Sequence, residues 1–251
     1  MHRHPEKYQV CDAAFAKKVH SDATALCGEI VGFFHQEQIQ INEIIFVPMI
    51  IFARIIRLRD AALTLTEAKF PTEAGILLLS QFEAKLDLAQ AAQDVKWAAR
   101  WLEHQNTRFS VTNVSQAVGS IFGDEQEREI EQSVFRYLSA LKHGNPASSE
   151  LGFQVRRSGA VLSLSTGEVE DAMTEVACAM MAGYATSQLA WAAQALQATM
   201  GQYAICTQAA KNAVWENWQQ ADGFGSEFAL FLATLVDGRA GHVDIAAGKL
   251  R

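Results

Sequence analysis

The fold class is decided by residues 71–90, which read PTEAGILLLSQFEAKLDLAQ. The stretch opens with Pro71, which suits the first turn of a helix, and Glu73 follows where negative charge is favourable. Its apolar residues then recur mostly at spacings of three and four: Ile76, Leu77, Leu79, Phe82, Leu86, Leu88 and Ala89. Because this spacing is typical of an amphipathic helix, the stretch predicts a helix with a broad buried face.

Patterns of the same kind predict helices along most of the chain. The predicted helices are 6–36, 42–68, 71–105, 124–143, 168–218 and 227–236. Pro48 either kinks the second helix or marks its true start. The third helix either continues, or breaks and restarts, on its way through Val95. Residues 106–123 are weakly patterned and predict a loop with one short helix, and the glycines within 221–225 predict a break.

Residues 152–165 have a different pattern. Phe153 and Val155 precede the turn-like sequence Arg-Ser-Gly at 157–159, and an apolar run follows at 161–164. Short apolar runs on both sides of a glycine-containing turn are typical of a hairpin. The sequence therefore predicts two short strands here, inserted among the helices.

Composition agrees with a mainly all-α fold. The chain has 251 residues, of which 49% are hydrophobic and 20% are charged, and only 4 are prolines. Such a chain is long enough to bury a sizeable core. We predict one helical bundle domain over residues 1–251, with a β-hairpin at about 152–165 and with the C-terminal helices of 168–251 packed on the bundle.

Charge and cysteine usage indicate the protein's surroundings. The net charge of −7 argues against a general phosphate-binding surface, and it leaves room for a small basic pocket that acts on RNA. None of the 4 cysteines forms a CxxC pair, which favours free thiols in a reducing compartment. The apolar run at 44–53 is shorter than the roughly 20 residues that cross a bilayer, and the N-terminus does not resemble a signal peptide. We expect a cytoplasmic protein that does not enter the membrane.

Arg136 and His143 form the most specific motif in the chain. They lie seven residues apart, which is nearly two helical turns, so both side chains point the same way about 10 Å apart. Gly144 and Pro146 end the helix directly after His143. A cationic Arg beside a titratable His suits phosphodiester cleavage, because the His transfers a proton and the Arg stabilises the developing negative charge. The alternative is an exposed Arg and a His that caps the helix.

This Arg-x6-His pattern near a helix end resembles the signature of the HEPN superfamily. Many members are metal-independent ribonucleases of prokaryotic defence or toxin systems, and others bind nucleotides or have lost activity. The resemblance implies that Arg136 and His143 are the catalytic pair. It also implies an active site formed across a homodimer, with RNA and an antitoxin-type protein as partners and without a metal or cofactor.

A second resemblance covers more of the chain. Residues 57–105, followed by 137–146, are similar to a family of uncharacterised prokaryotic helical proteins. The matching residues are Arg57, Glu83, Asp87, Asp94, Ser139 and His143. No reaction is attached to that family, so the resemblance supports the helical fold more than a function.

The acidic residues Glu83, Asp87 and Asp94 share one helix face if their helix is continuous. One interpretation is an ion-pair network with the arginines of the preceding helix: Arg54, Arg57 and Arg59. The other places Glu83 or Asp87 beside His143, where the carboxylate orients the imidazole. Arg57, Ser139 and Asn145 complete the set of supporting residues that we expect around Arg136 and His143.

Other sites and functions are open at this stage. A di-metal site would need Glu-x-x-His on two helices, and the chain has no such motif, so no metal site is expected. The 5 tryptophans fall at helical spacings, which favours packing over base stacking. Two alternatives to the ribonuclease are a non-catalytic, dimeric interaction protein and a small-ligand or nucleotide binder that uses Arg57, Glu83 and His143.

Overall fold

The structure of this protein is a computed structural model. It describes residues 10–37, 43–103, 125–142, 153–156, 161–164, 172–201 and 205–246. The helices are α1 Ala13–Gln36, α2 Glu43–Glu67, α3 Pro71–Gln93, α4 Val95–Leu102, α5 Glu125–Lys142, α6 Ala172–Gly201 and α7 Gln208–Ala246. The prediction of a mainly helical protein is confirmed. The loop predicted at 106–123 and the helix stop at 143–146 lie outside the described residues.

Two helices begin directly after a capping aspartate; the first start corrects the prediction, and the second decides between the two alternatives left open for residues 71–105. Helix α1 begins at Ala13 and not near residue 6, because the Asp12 carboxylate caps it by accepting a 2.7 Å hydrogen bond from the Phe15 N–H. Asp94 separates α3 from α4 in the same way and accepts hydrogen bonds from the N–H groups of Lys96 and Trp97. Since the helix breaks at Asp94, this residue does not continue the face of α3 that carries Glu83 and Asp87.

The prediction for the last two helices was wrong about where the chain breaks. Residues 205–207 interrupt the helix predicted over 168–218, and α7 then runs unbroken through the glycines at 223 and 225. The Thr207 hydroxyl caps the new helix by accepting from the Ala210 N–H at 3.2 Å. Each interior glycine costs about 1 kcal/mol of helix stability, but Phe224 and Phe228 are 5% and 0% exposed. Burial of these rings outweighs that cost.

Helix α6 lies at the centre of the described helices and contacts α1, α2, α3 and α7. Its only charged residue is Glu175, and its buried side chains point in all directions, as expected of a helix surrounded by others. The buried apolar residues form two clusters, and α2, α3, α6 and α7 contribute to both. The half-buried Trp191 of α6 packs against both clusters. Trp191 also lines the cavity described below.

Two four-residue strands, β1 Phe153–Arg156 and β2 Val161–Leu164, pair antiparallel. The register places Phe153 opposite Leu164 and Arg156 opposite Val161. Within the described part of the chain, no helix combines the length and the apolar character that crossing a bilayer requires.

The four cysteines are free thiols, as predicted. Burial raises the pKa of the Cys27 and Cys178 thiols to about 11. Since the thiolate is the reactive form, these two cysteines are poor nucleophiles near neutral pH.

Candidate functional site

The predicted Arg-x6-His motif lies on and after helix α5. Arg136 is exposed on that helix, while the adjacent Tyr137 is buried in the core and Ser139 is half-buried. His143 and Asn145 lie outside the described residues. The structure therefore gives the Arg of the motif a position that solvent reaches, and it does not describe the position of the His.

Asp87 lies on α3 in a partly buried cluster. Burial raises the pKa of the Asp87 carboxyl to about 7, and the negative charge of Glu83 adds to this effect. The positive charge of Arg54 and a hydrogen bond from Trp101 oppose it and lower the pKa. Of the predicted arginine partners, Arg54 therefore acts on Asp87. Arg54 and Arg57 are both exposed.

Arg59, the third predicted partner of the acidic residues on α3, makes its hydrogen bonds elsewhere in the fold. It is only 4% exposed, and its guanidinium donates to the Ala16 carbonyl oxygen of α1 and to the Asp60 carboxylate. It therefore ties α2 to α1.

A cavity of about 410 Å³ opens among α3, α5, α6 and α7. Its walls combine polar, charged and aromatic side chains with one glycine. The lining residues are Lys85, Ile130, Glu131, Tyr184, Ser187, Gln188, Trp191, Trp218, Asp222, Gly225 and Ser226. Cavities of this size with a few convergent polar groups are typical of sites for small molecules.

Among the described side chains that line this cavity, Lys85 supplies the only positive charge. Its side chain is 2% exposed, and its ammonium lies 2.8 Å from the Glu131 carboxylate of α5. The ammonium also lies over the rings of Phe82 and Trp191, at 5.0 and 5.4 Å from their centroids. A lysine is rarely this buried without a partner, and here a carboxylate and two aromatic faces stabilise it.

Tyr184 extends the ion pair towards α6. Its hydroxyl donates to the second oxygen of Glu131 at 3.4 Å, and its ring stacks on Phe228 at a centroid distance of 4.6 Å. Burial, followed by the charge and hydrogen bond of Glu131, raises the pKa of Tyr184 well above its usual range. The phenol is therefore neutral and serves as a hydrogen-bond donor.

Gln188 lies one helical turn after Tyr184 and is 1% exposed. A hydrogen bond from the Gln188 side chain to the Tyr184 hydroxyl lowers the pKa of that phenol, against the larger effect of burial. Both polar atoms of the amide are buried, and no hydrogen bond beyond this contact reaches them from the described residues.

Sequence reasoning missed the residues of this cavity. A signal was nevertheless present for Lys85: residues 78, 82, 85 and 89 recur at helical spacings and are apolar except at 85, so a lysine interrupts an apolar stripe. Glu131 had no such signal, because it lies 46 residues away along the chain and its pairing depends on how α5 packs. Among the described residues, no group of three His, Cys, Asp or Glu side chains is arranged to hold a metal ion.

No protein-family model, no curated protein and no solved structure shows a significant match to this chain. Any function must therefore be argued from the geometry of these sites.

Proposed function

We propose that this protein binds a small organic molecule in the cavity among α3, α5, α6 and α7. The observation that carries the proposal is a cavity of about 410 Å³ whose lining joins the Lys85–Glu131 ion pair to the aromatic rings of Trp191 and Trp218. A concave site that combines aromatic surface with a few charged and polar groups is typical of sites for small molecules.

The rest of the lining supports the same function. The volume falls within the roughly 300–1,000 Å³ of known ligand pockets. Trp191 and Trp218 offer apolar ring surface, and the serines at 187 and 226 offer hydroxyl groups. The Lys85–Glu131 ion pair and the Tyr184–Phe228 stack hold the walls in place before a ligand arrives. Such preorganisation reduces the entropy lost on binding.

The test is a thermal-shift screen of small molecules, repeated on a variant with a filled cavity. Gly225 lines the cavity, and a Cβ built on it would lie 3.7 Å from the Ser187 Oγ, which is an ordinary contact. Gly225→Leu extends a side chain into the cavity and is expected to weaken binding at least tenfold. Gly225→Ala is the matched control, and it is expected to keep binding and to stabilise the helix by about 1 kcal/mol.

A ligand bound in this cavity raises the unfolding free energy by about 2.7 kcal/mol at a concentration 100 times its Kd. This gain is expected in the native protein and in Gly225→Ala, and not in Gly225→Leu. Equal gains in all three proteins would place the ligand elsewhere and would contradict the proposal.

A HEPN-like, metal-independent ribonuclease is a second candidate function, and the exposure of Arg136 favours it. Helix α5 is anchored by its buried neighbours Tyr137 and Leu138, so the Arg136 side chain points away from the core to where a phosphodiester could reach it. In this proposal His143 transfers the proton, a second copy of the chain completes the site, and RNA and an antitoxin-type protein are the partners.

For the ribonuclease, we expect cleavage of structured RNA in the presence of EDTA. Arg136→Ala and His143→Ala should each reduce the rate by about 100-fold or more, because each removes a group used in the transition state. Lys142→Ala removes an exposed neighbouring cation and serves as the matched control, with cleavage retained. Equal cleavage by all four proteins, or no cleavage by the native protein, would contradict the ribonuclease.

A further inference from the structure

The side chains that line the cavity differ in how far solvent reaches them. Lys85, Tyr184 and Gln188 form a buried wall, and each is at most 2% exposed. The other lining residues are half-buried or exposed, and we call them the accessible lining. Its charged members are the half-buried Glu131 and the exposed Asp222. The charges that an entering molecule can reach are therefore both negative.

The buried wall does not offset these charges. The Lys85 ammonium lies 2.8 Å from one carboxylate oxygen of Glu131, so the two charges compensate each other. Asp222 has no ion pair or hydrogen bond with any described residue. Its carboxylate leaves the lining with one net negative charge, and the chain as a whole carries a net charge of −7. Such a field attracts cations and repels anions.

An aromatic ring lies next to the uncompensated carboxylate. Trp218 and Asp222 are four residues apart on α7, so their side chains are neighbours on one face of the helix, and both line the cavity. The face of an indole attracts a cation within about 6 Å of its centre. Trp191, across the cavity on α6, already shows this contact, because the Lys85 ammonium lies 5.4 Å from the centroid of its ring.

We infer that the ligand is an organic cation, with an ammonium group on an apolar body. The ammonium lies between the Asp222 carboxylate and the Trp218 ring, and the apolar body contacts Trp191 and Ile130. The inference rests on the proposed function, since it assumes that the cavity holds a ligand, and it names the ligand's class.

The test is a calorimetric titration of the full chain with two pairs of compounds, each matched in size and different in charge. Phenethylamine is compared with phenylethanol, and choline is compared with its uncharged isostere dimethylbutanol. At least one of the two cations is expected to bind saturably and about tenfold more tightly than its uncharged partner, because the carboxylate and the indole face both contribute. Raising NaCl to about 0.5 M should reduce this preference, because Asp222 is exposed and its charge is screened.

Asp222→Asn should reduce the preference for the cation about threefold to fivefold and leave binding of the uncharged partner unchanged. The variant is expected to fold, because Asp222 is exposed and has no partner among the described residues. Glu216→Gln is the matched control, since Glu216 is an exposed carboxylate of the same helix outside the lining, and it should keep the full preference.

Binding of neither cation, equal affinity within both pairs, or a preference that is the same in Asp222→Asn as in the native protein would overturn the inference. The proposed function then still stands if another compound binds to the native protein and to Gly225→Ala and not to Gly225→Leu. Both proposals fail if no compound behaves in this way.

Discussion

Replacing Glu131 with leucine is expected to lower the free energy of unfolding by about 3–5 kcal/mol. The substitution removes the carboxylate that lies 2.8 Å from the Lys85 ammonium, whose side chain is 2% exposed. A buried charge that loses its counter-ion keeps the cost of desolvation without the attraction that offset it. Urea denaturation monitored by circular dichroism measures the change.

Two further variants separate the ion pair from a general effect of the substitution. Glu129→Leu changes an exposed glutamate on the same helix, so its effect should stay within about 0.5 kcal/mol. The double variant Lys85→Met, Glu131→Leu replaces both charges with apolar groups and should recover most of the loss. A loss below about 1 kcal/mol in Glu131→Leu, or additive losses in the double variant, would show that the pair is not a coupled element of the core.

Asp87→Asn is expected to become more stable than the native protein as the pH rises from 4 to 8. Burial raises the pKa of Asp87 from 3.8 to about 7, so between these values the folded state holds a proton that the unfolded state has released. Stability from this group is therefore present at low pH and lost as the pH rises through 7. At pH 8 the asparagine variant avoids burial of the charge, and its gain should be on the order of 2–4 kcal/mol.

The measurement is the difference in unfolding free energy between the native protein and Asp87→Asn at each pH. Glu73→Gln is the matched control, since it removes an exposed carboxylate from the first turn of the same helix. A difference in unfolding free energy that stays constant from pH 4 to 8 would contradict this prediction. It would mean that Asp87 is ionised over the whole range, because the attraction of Arg54 outweighs the cost of burying the charge.

Local signals predicted α3 well. Pro71 fixed its start, and the apolar spacing predicted the face that packs in the core. The C-terminal end of α3 could not be predicted, because an aspartate such as Asp94 suits both the interior of a helix and a cap position. Only the backbone geometry distinguishes these two positions. Helix α7 shows the opposite case, since its glycines locally favour a break and the burial of Phe224 and Phe228 overrides them. A sequence does not show which distant surface will bury a given ring.

The candidate cavity was hard to predict for the same reason. Lys85 and Gln188 each interrupt an apolar stripe, and that signal is readable from the helical spacing. The packing of α3 against α6 brings these two residues to one cavity. The residue spacing within either helix does not specify this packing. The motif that sequence reasoning selected, Arg136 with His143, was recognisable only because both residues belong to one stretch of chain.

The central claim is that the cavity binds a small molecule, and the indole N–H signals of the 5 tryptophans test it most directly. Only Trp191 and Trp218 line the cavity, while Trp97 and Trp101 lie on α4. With each signal assigned by a Trp→Phe variant, titration of a compound found by the screen should shift the Trp191 and Trp218 signals saturably and leave those of Trp97 and Trp101 in place. Saturable shifts confined to Trp97 or Trp101, or binding that leaves the Trp191 and Trp218 signals unchanged, would contradict the claim.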